Sequence, residues 1–146
     1  MDKNILKDLQ SRILISDGAY GTTFAKLGLA GNSVSEEWNL SRVNDVTKLH
    51  LDYIKNGADI ITTNTFNANP FRLAHYGLDD DIESIINGGV KAALSAVDKS
   101  GKKAYIAGSI GPSGTFMKPF GELSFDEIYE AYSRVVRYFK ETPIDL

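Results

Sequence analysis

The sequence predicts an α/β fold in which three parallel strands alternate with three helices, behind a short N-terminal helix. Three short apolar runs recur at an interval of about 45 residues, and a stretch with helical periodicity follows each run. Each run is continuously apolar rather than alternating, as is typical of strands that are covered on both faces. Strands separated by helices pair in parallel through right-handed crossovers.

The predicted strands comprise residues 12–16, 59–63 and 104–108. Ahead of the first strand, Ile5, Leu6 and Leu9 lie on one side of a short amphipathic helix. We expect this helix to cap one end of a barrel.

The predicted helices comprise residues 43–56, 80–100 and a third that begins at Ser124. Gly57 and Gly101 stand where the first two helices would stop. Ser124 and Glu127 have the spacing of a capping box, and Pro143 marks the end of the third helix.

The chain is shorter than a complete barrel. A (β/α)8 barrel typically needs about 200 to 250 residues, so three βα units cannot close one. Residues 142–146 are predicted to approach a fourth strand, and no linker-like segment divides the chain. We therefore predict a partial (β/α)8 TIM barrel, about its first three βα units with an N-terminal capping helix. Residues 1–146 would form the N-terminal portion of one domain, truncated before strand four.

The composition excludes several functional classes. A net charge of −3 leaves no basic stripe to neutralise nucleic-acid phosphates. The longest apolar runs are too short to cross a bilayer, and the N-terminus lacks the features of a signal peptide. The chain has no cysteine, which excludes disulfides and Cys-ligated zinc. We expect a cytoplasmic location, with neither nucleic acid nor membrane as a partner.

Polar segments follow all three predicted strands, at the end where ligands bind in parallel βα folds. Asp17 could accept hydrogen bonds from a ligand ammonium, and the Gly18 N–H could donate to a carboxylate; the alternative is an ordinary Asp-Gly turn. The cluster from Thr62 to Asn67 offers hydroxyl and amide groups, or else caps its own loop. Other polar residues are predicted to be structural: Glu36 and Glu37 solvated, and His50 and His75 on the surface or packed.

Three motifs resemble those of homocysteine S-methyltransferase domains. They are DGAYGT at residues 17–22, NGADIITTNTF at residues 56–66 and GSIGPSG at residues 108–114. Their order and spacing are similar to those of this family over nearly the whole chain. The first motif is most similar to that of bacterial cobalamin-dependent methionine synthases.

The resemblance implies a homocysteine site and a methyl transfer. In such enzymes a zinc ion held by three cysteines ionises the thiol of L-homocysteine, which then takes a methyl group to form methionine. The expected methyl donor is 5-methyltetrahydrofolate, through cobalamin. The resemblance maps the amino-acid end of homocysteine to Asp17 and Gly18, with Thr63, Asn64 and Thr65 lining the pocket.

The family's zinc cysteines, and an acidic residue that follows strand four, have no counterpart in this chain. The predicted site therefore contains no catalytic residue and no metal ligand, and we expect these residues alone to be inactive. One alternative is a non-catalytic half-barrel that serves as an interaction module and self-associates through open sheet edges. Another is a different barrel enzyme, such as a lyase or aldolase, although no lysine stands at the three strand ends.

Overall fold

Two short parallel strands form the centre of the structure, a computed structural model that describes residues 4–146. Strand β1 is Ile60–Thr62 and strand β2 is Tyr105–Ala107, with Ile61 opposite Ile106. Both central isoleucines are fully buried, as expected for strands covered on both faces. The second and third predicted strands are thereby confirmed, although each is shorter than predicted.

The first predicted strand, residues 12–16, is wrong as a regular strand. Only Ser16 forms a parallel bridge, with Ile60, and the Asp17 N–H donates to the Ile60 carbonyl at 2.9 Å. Ile13 and Ile15 are 87% and 59% exposed, so this segment has neither a covered face nor a partner on its outer edge in the described part of the chain. Without packing over Ile13 and Ile15, the segment pairs with β1 at a single bridge and does not form a ladder.

Seven α-helices lie within residues 4–146. They are α1 Ile5–Leu9, α2 Gly21–Lys26, α3 Trp38–Ser41, α4 Val43–Lys55, α5 Pro70–Ala74, α6 Ile82–Ser100 and α7 Phe125–Lys140. The N-terminal helix and the three long helices confirm the prediction, while the short α2 and α3 were not predicted. No helix in this described range is long and apolar enough to cross a membrane.

Local sequence signals account for the helix ends. Gly101 ends α6 in the left-handed conformation, at φ 62°. The predicted capping box of α7 is present: Glu127 N–H donates to Ser124 Oγ at 3.2 Å, and Ser124 N–H donates to Glu127 Oε2 at 2.7 Å.

Helices α4 and α6 pack side by side against the strands. The core between them includes Ile54, Ile61, Ala93, Ala96 and Ile106, all buried. Small residues on α6 let the helix approach the sheet closely. The strand ends therefore lie on a rigid base.

Two glycines inside α6 mark the closest approach of another helix. A Cβ on Gly88 would lie 2.5 Å from the backbone oxygen of Asn39, at α3, and one on Gly89 would lie 2.8 Å from the Asn39 side-chain nitrogen. Glycine inside a helix costs about 1 kcal/mol relative to alanine. The structure gives the reason for that cost, because only glycine leaves room for Asn39.

We expect Gly88→Ala to lower the free energy of unfolding by about 2 kcal/mol. Alanine gains about 1 kcal/mol in helix propensity. Overpacking against a backbone oxygen costs about 1 to 3 kcal/mol, and here the upper end applies because the oxygen cannot rotate away. Urea unfolding followed by circular dichroism measures the change. Gly21→Ala is the control, since its Cβ would meet nothing within 4 Å; a stabilised Gly88 variant would contradict the close approach.

Both ends of the strands carry further contacts. At the amino ends, Asp8 of α1 accepts hydrogen bonds from Tyr105 Oη at 2.8 Å and Lys103 Nζ at 3.1 Å, which agrees with a capping position although no residue of α1 is buried. Beside β2, the Asp145 N–H donates to the Ile106 carbonyl at 2.9 Å and the Gly108 N–H donates to the Leu146 carbonyl at 2.8 Å. The last residues thus run alongside β2.

Candidate functional site

A cleft of about 350 Å³ opens at the carboxyl ends of the strands. Residues 18–21, 35–36 and 62–67 line it, together with Ser109. A second, larger space of about 540 Å³ is an open groove along α7 with mainly apolar walls. The cleft is the candidate site because polar groups from the loop after residue 16 and from the ends of β1 and β2 converge there.

Asp17 is held by the protein at the edge of this cleft. Its Oδ2 accepts the Thr62 N–H at 2.7 Å and the Tyr20 hydroxyl, while its Oδ1 has only the longer contacts to Ser16 Oγ at 3.2 Å and Thr62 Oγ1 at 3.3 Å. Asp17 is half-buried and is not part of the cleft lining. One carboxylate oxygen therefore fixes the loop, and the other has weaker partners.

A buried tyrosine–histidine pair lies behind Asp17. The Tyr20 hydroxyl is 2.5 Å from the Thr62 carbonyl oxygen and 3.1 Å from His50 Nδ1. Burial, followed by the Asp17 charge, raises the pKa of Tyr20 above its ordinary value. The tyrosine is therefore neutral and donates its proton towards the Asp17 carboxylate.

His50 is fully buried on α4, so of the two positions that the sequence left open, surface or packed, it occupies the packed one. Burial lowers the pKa of its ring to about 4, so the ring is neutral near pH 7. Because the Tyr20 proton is directed to Asp17, we assign the single ring proton to Nδ1, which donates to the Tyr20 oxygen. Nε2 then has no hydrogen-bond partner among residues 4–146.

The loop after residue 16 leaves backbone donors free. Within residues 4–146 the N–H groups of Gly18 and Ala19 have no hydrogen-bond partner. A Cβ on Gly18 would lie 3.0 Å from Tyr53 Oη, which itself donates to the Ala19 carbonyl at 2.9 Å. A larger residue at this position would require Tyr53 to shift by a few tenths of an ångström, and Gly18 lines the cleft.

Thr63 and Thr65 connect the ends of β1 and β2. Their hydroxyl oxygens are 2.6 Å apart, the Ser109 N–H donates to Thr63 Oγ1 at 3.0 Å, and Thr65 Oγ1 donates to the Ser109 carbonyl at 2.8 Å. Both threonines are buried. Their side chains build the wall of the cleft and have partners within it.

The side chain of Asn64 connects the end of β1 to the segment before α3. Its Nδ2 donates to the Ser35 carbonyl at 2.8 Å and to Asn39 Oδ1 at 2.9 Å, while Oδ1 accepts from Ser35 Oγ at 3.1 Å. Asn39 Nδ2 in turn donates to the Asn64 carbonyl at 2.7 Å. These contacts favour the interpretation of Asn64 as a loop cap.

Glu36 was predicted to be solvated, and this prediction is wrong. Glu36 is only 1% exposed, and it lines the cleft. Oε1 accepts the Asn67 N–H at 2.7 Å, and Oε2 is 3.1 Å from Ser35 Oγ. The one sequence signal for burial of Glu36 was its position between two apolar residues, Val34 and Trp38. The structure shows that both are buried.

The residues present do not fit the zinc ion that the resemblance implies. Residues 4–146 contain no group of three or more His, Cys, Asp or Glu side chains that could hold a metal ion. His50 is enclosed behind Tyr20, and His75 is exposed. The chemistry available at this cleft is hydrogen bonding and charge recognition.

Fold and cleft together define the class: an α/β protein with a polar cleft at the carboxyl ends of parallel strands. The chain belongs to the homocysteine S-methyltransferase family, whose model matches residues 14–146.

Curated relatives of the chain include two bacterial methionine synthases. The methionine synthase of Mycobacterium tuberculosis is 30% identical over 141 residues, and that of Mycobacterium leprae is 32% identical over 143 residues. Each alignment covers 90% of this chain. The chain spans only 12% of the length of these relatives.

Solved structures of a homocysteine methyltransferase have a similar fold. The metallated form of MmuM from Escherichia coli superposes with a TM-score of 0.79 at 22% identity, covering 96% of this chain and 54% of MmuM. Its oxidised form gives a TM-score of 0.77 at 24% identity, covering 99% and 55%. This likeness extends over about half of that structure.

Proposed function

We propose that this chain supplies the amino-acid-binding part of a homocysteine S-methyltransferase domain. Residues 1–146 would be the N-terminal portion of that domain, comprising about the first three βα units of a (β/α)8 barrel. The observation that carries the proposal is the free N–H groups of Gly18 and Ala19 in a cleft that Glu36 lines and that Asp17 borders. Such a cleft complements both charges of an amino acid.

The proposed substrate contacts follow from this arrangement. Gly18 N–H would donate to the α-carboxylate of L-homocysteine, and Asp17 would use its weakly engaged Oδ1 for the ammonium group. Thr63, Asn64 and Thr65 would shape the wall, because their side chains already bond to the protein.

The proposed reaction of the parent protein is methyl transfer to the homocysteine thiol, which forms methionine. We propose 5-methyltetrahydrofolate, acting through cobalamin, as the methyl donor and the cytoplasm as the location. A zinc ion in the parent would lower the thiol pKa, but its ligands would lie outside these residues. The chain alone would therefore bind substrate without turning it over.

A non-catalytic half-barrel that self-associates is the second candidate. Exposed apolar residues favour it: Phe125, Tyr129 and Val136 lie on the outer face of α7 and line its apolar groove, and Ile13 and Ile15 lie beside the outer edge of β1. A different barrel enzyme that uses a lysine Schiff base has no support among the described residues, because no lysine lines the cleft.

Calorimetric titration with L-homocysteine, with and without zinc, tests the proposal. We expect the purified chain to bind L-homocysteine equally well in both conditions, because the cleft has hydrogen-bond donors but no metal ligands. Sedimentation gives the solution mass as a control. A folded chain that forms discrete dimers and does not bind L-homocysteine would support the interaction module. Zinc-dependent methyl transfer by this chain would contradict its proposed inactivity.

A further inference from the structure

Glu36 is the only charged side chain among the described residues that line the cleft. It lies in the short 3₁₀ turn Ser35–Glu37, which precedes α3. The buried residues Val34 and Trp38 on either side hold this turn against the core. The position of the carboxylate is therefore fixed by packing rather than by a flexible loop.

The carboxylate of Glu36 has only neutral hydrogen-bond partners. Within residues 4–146 no lysine, arginine or histidine forms an ion pair with it. The nearest cation in its hydrogen-bond network is Arg72, which contacts Asn67 Oδ1 at 3.3 Å and reaches Glu36 only through that residue. A buried carboxylate without a counter-charge is costly, so a cationic ligand group is its natural complement.

The two carboxylate oxygens of Glu36 differ in how well they are satisfied. Oε1 accepts the Asn67 N–H at 2.7 Å. Oε2 has the weaker contacts, at 3.1 Å to Ser35 Oγ and 3.4 Å to Asn67 Nδ2, and the single Ser35 hydroxyl proton is also within 3.1 Å of Asn64 Oδ1. Oε2 is therefore the oxygen with capacity for a further strong donor.

We propose that Glu36 receives the ammonium group of the amino-acid ligand, and so selects α-amino acids over des-amino acids. The inference rests on the proposed function in taking the ligand to be an amino acid, but it does not depend on the thiol. Gly18 and Ala19 would hold the carboxylate, and Glu36 would supply the opposite charge from the segment before α3. Asp17 would share the ammonium group through its weakly engaged Oδ1, since its Oδ2 already bonds to Tyr20 and Thr62.

The test compares three probes by calorimetry on the full chain. L-Homocysteine carries all groups, L-α-aminobutyrate lacks the thiol, and γ-mercaptobutyrate lacks the ammonium. Glu36→Gln is nearly isosteric and can still accept the Asn67 N–H. We expect Glu36→Gln to weaken the binding of both amino acids about tenfold or more. The affinity for γ-mercaptobutyrate should stay unchanged. Glu36→Asp should restore part of the lost affinity.

The control variant is Glu37→Gln, which makes the same change of charge one residue away, outside the cleft lining. An unchanged affinity of Glu36→Gln for both amino acids would overturn the inference, as would an equal loss for all three probes. If L-α-aminobutyrate binds in a Glu36-dependent way and the thiol adds nothing, the inference stands and the homocysteine proposal fails. If the folded wild-type chain binds no amino acid, both the inference about Glu36 and the homocysteine proposal fail.

A measurement on the wild-type chain covers the case in which Glu36→Gln does not fold. The Asn67 backbone amide donates to Glu36 Oε1, so its NMR shift reports on that carboxylate. L-α-Aminobutyrate should shift this signal and γ-mercaptobutyrate should leave it in place. Equal shifts with both probes, or none with either, would overturn the role of Glu36.

Discussion

The folded chain should lose about 3 kcal/mol of stability between pH 6.5 and pH 4 through His50 alone, since burial lowers the His50 pKa from 6.5 to about 4. In this window the unfolded chain binds a proton at His50 and the folded chain does not. Stability therefore rises with pH across the window, and the contribution is fully present above pH 6.5. Within residues 4–146 no carboxylate bonds directly to the ring to offset the effect, because the ring faces Tyr20, which itself bonds to Asp17.

The measurement is the free energy of urea unfolding as a function of pH, for wild type and His50→Asn. Asparagine can place an N–H near the position of Nδ1 but does not titrate, so the variant should lack this part of the pH dependence. Carboxylates titrate in both proteins, and their contribution cancels in the difference. The control is His75→Asn at an exposed site, which should keep the wild-type slope. Parallel curves for wild type and His50→Asn would show that His50 is already accessible to protons.

Local signals in the sequence predicted the helices well. The capping box at Ser124 and Glu127 involves residues three apart, and Gly101 needs only its own backbone angle. Neither depends on the rest of the fold. The residues that end the long helices could thus be identified before the structure was known.

The first predicted strand failed for the opposite reason. Its apolar pattern is real, but a covered strand also needs residues packed over its face, and within the described residues the segment makes a single bridge, from Ser16 to Ile60. Ile13 and Ile15 remain exposed. Periodicity indicates which residues could be covered, but the tertiary partners decide whether they are.

A polar cleft lies at the strand ends, where the sequence predicted a site, but the state of its polar groups was not predictable. Glu36 bonds to Asn67, 31 residues away, and His50 to Tyr20, 30 residues away. Burial of a polar side chain depends on such distant partners. Adjacent glutamates such as Glu36 and Glu37 look alike in sequence, although only Glu36 is buried.

Asn64→Ala should lower the free energy of unfolding by about 3 kcal/mol, because three side-chain hydrogen bonds in a buried position are lost at about 1 kcal/mol each. The Ser35 carbonyl and the Asn39 side chain would lose their Asn64 partner, in a part of the core that water does not reach easily. The loss should also loosen the contact between β1 and α3.

Urea unfolding measures this effect, with Asn56→Ala as a matched control. Asn56 is exposed and its side chain makes one hydrogen bond, to the Asp52 carbonyl at 2.8 Å, so its loss should cost about 0.5 kcal/mol. Titration of the folded Asn64 variant with L-homocysteine separates the two roles that the sequence left open. A wall residue would reduce stability and leave the affinity of the folded fraction nearly intact. An unchanged stability with a tenfold weaker affinity would instead make Asn64 a direct ligand, and its present hydrogen bonds to Ser35 and Asn39 would then have to exchange when substrate binds.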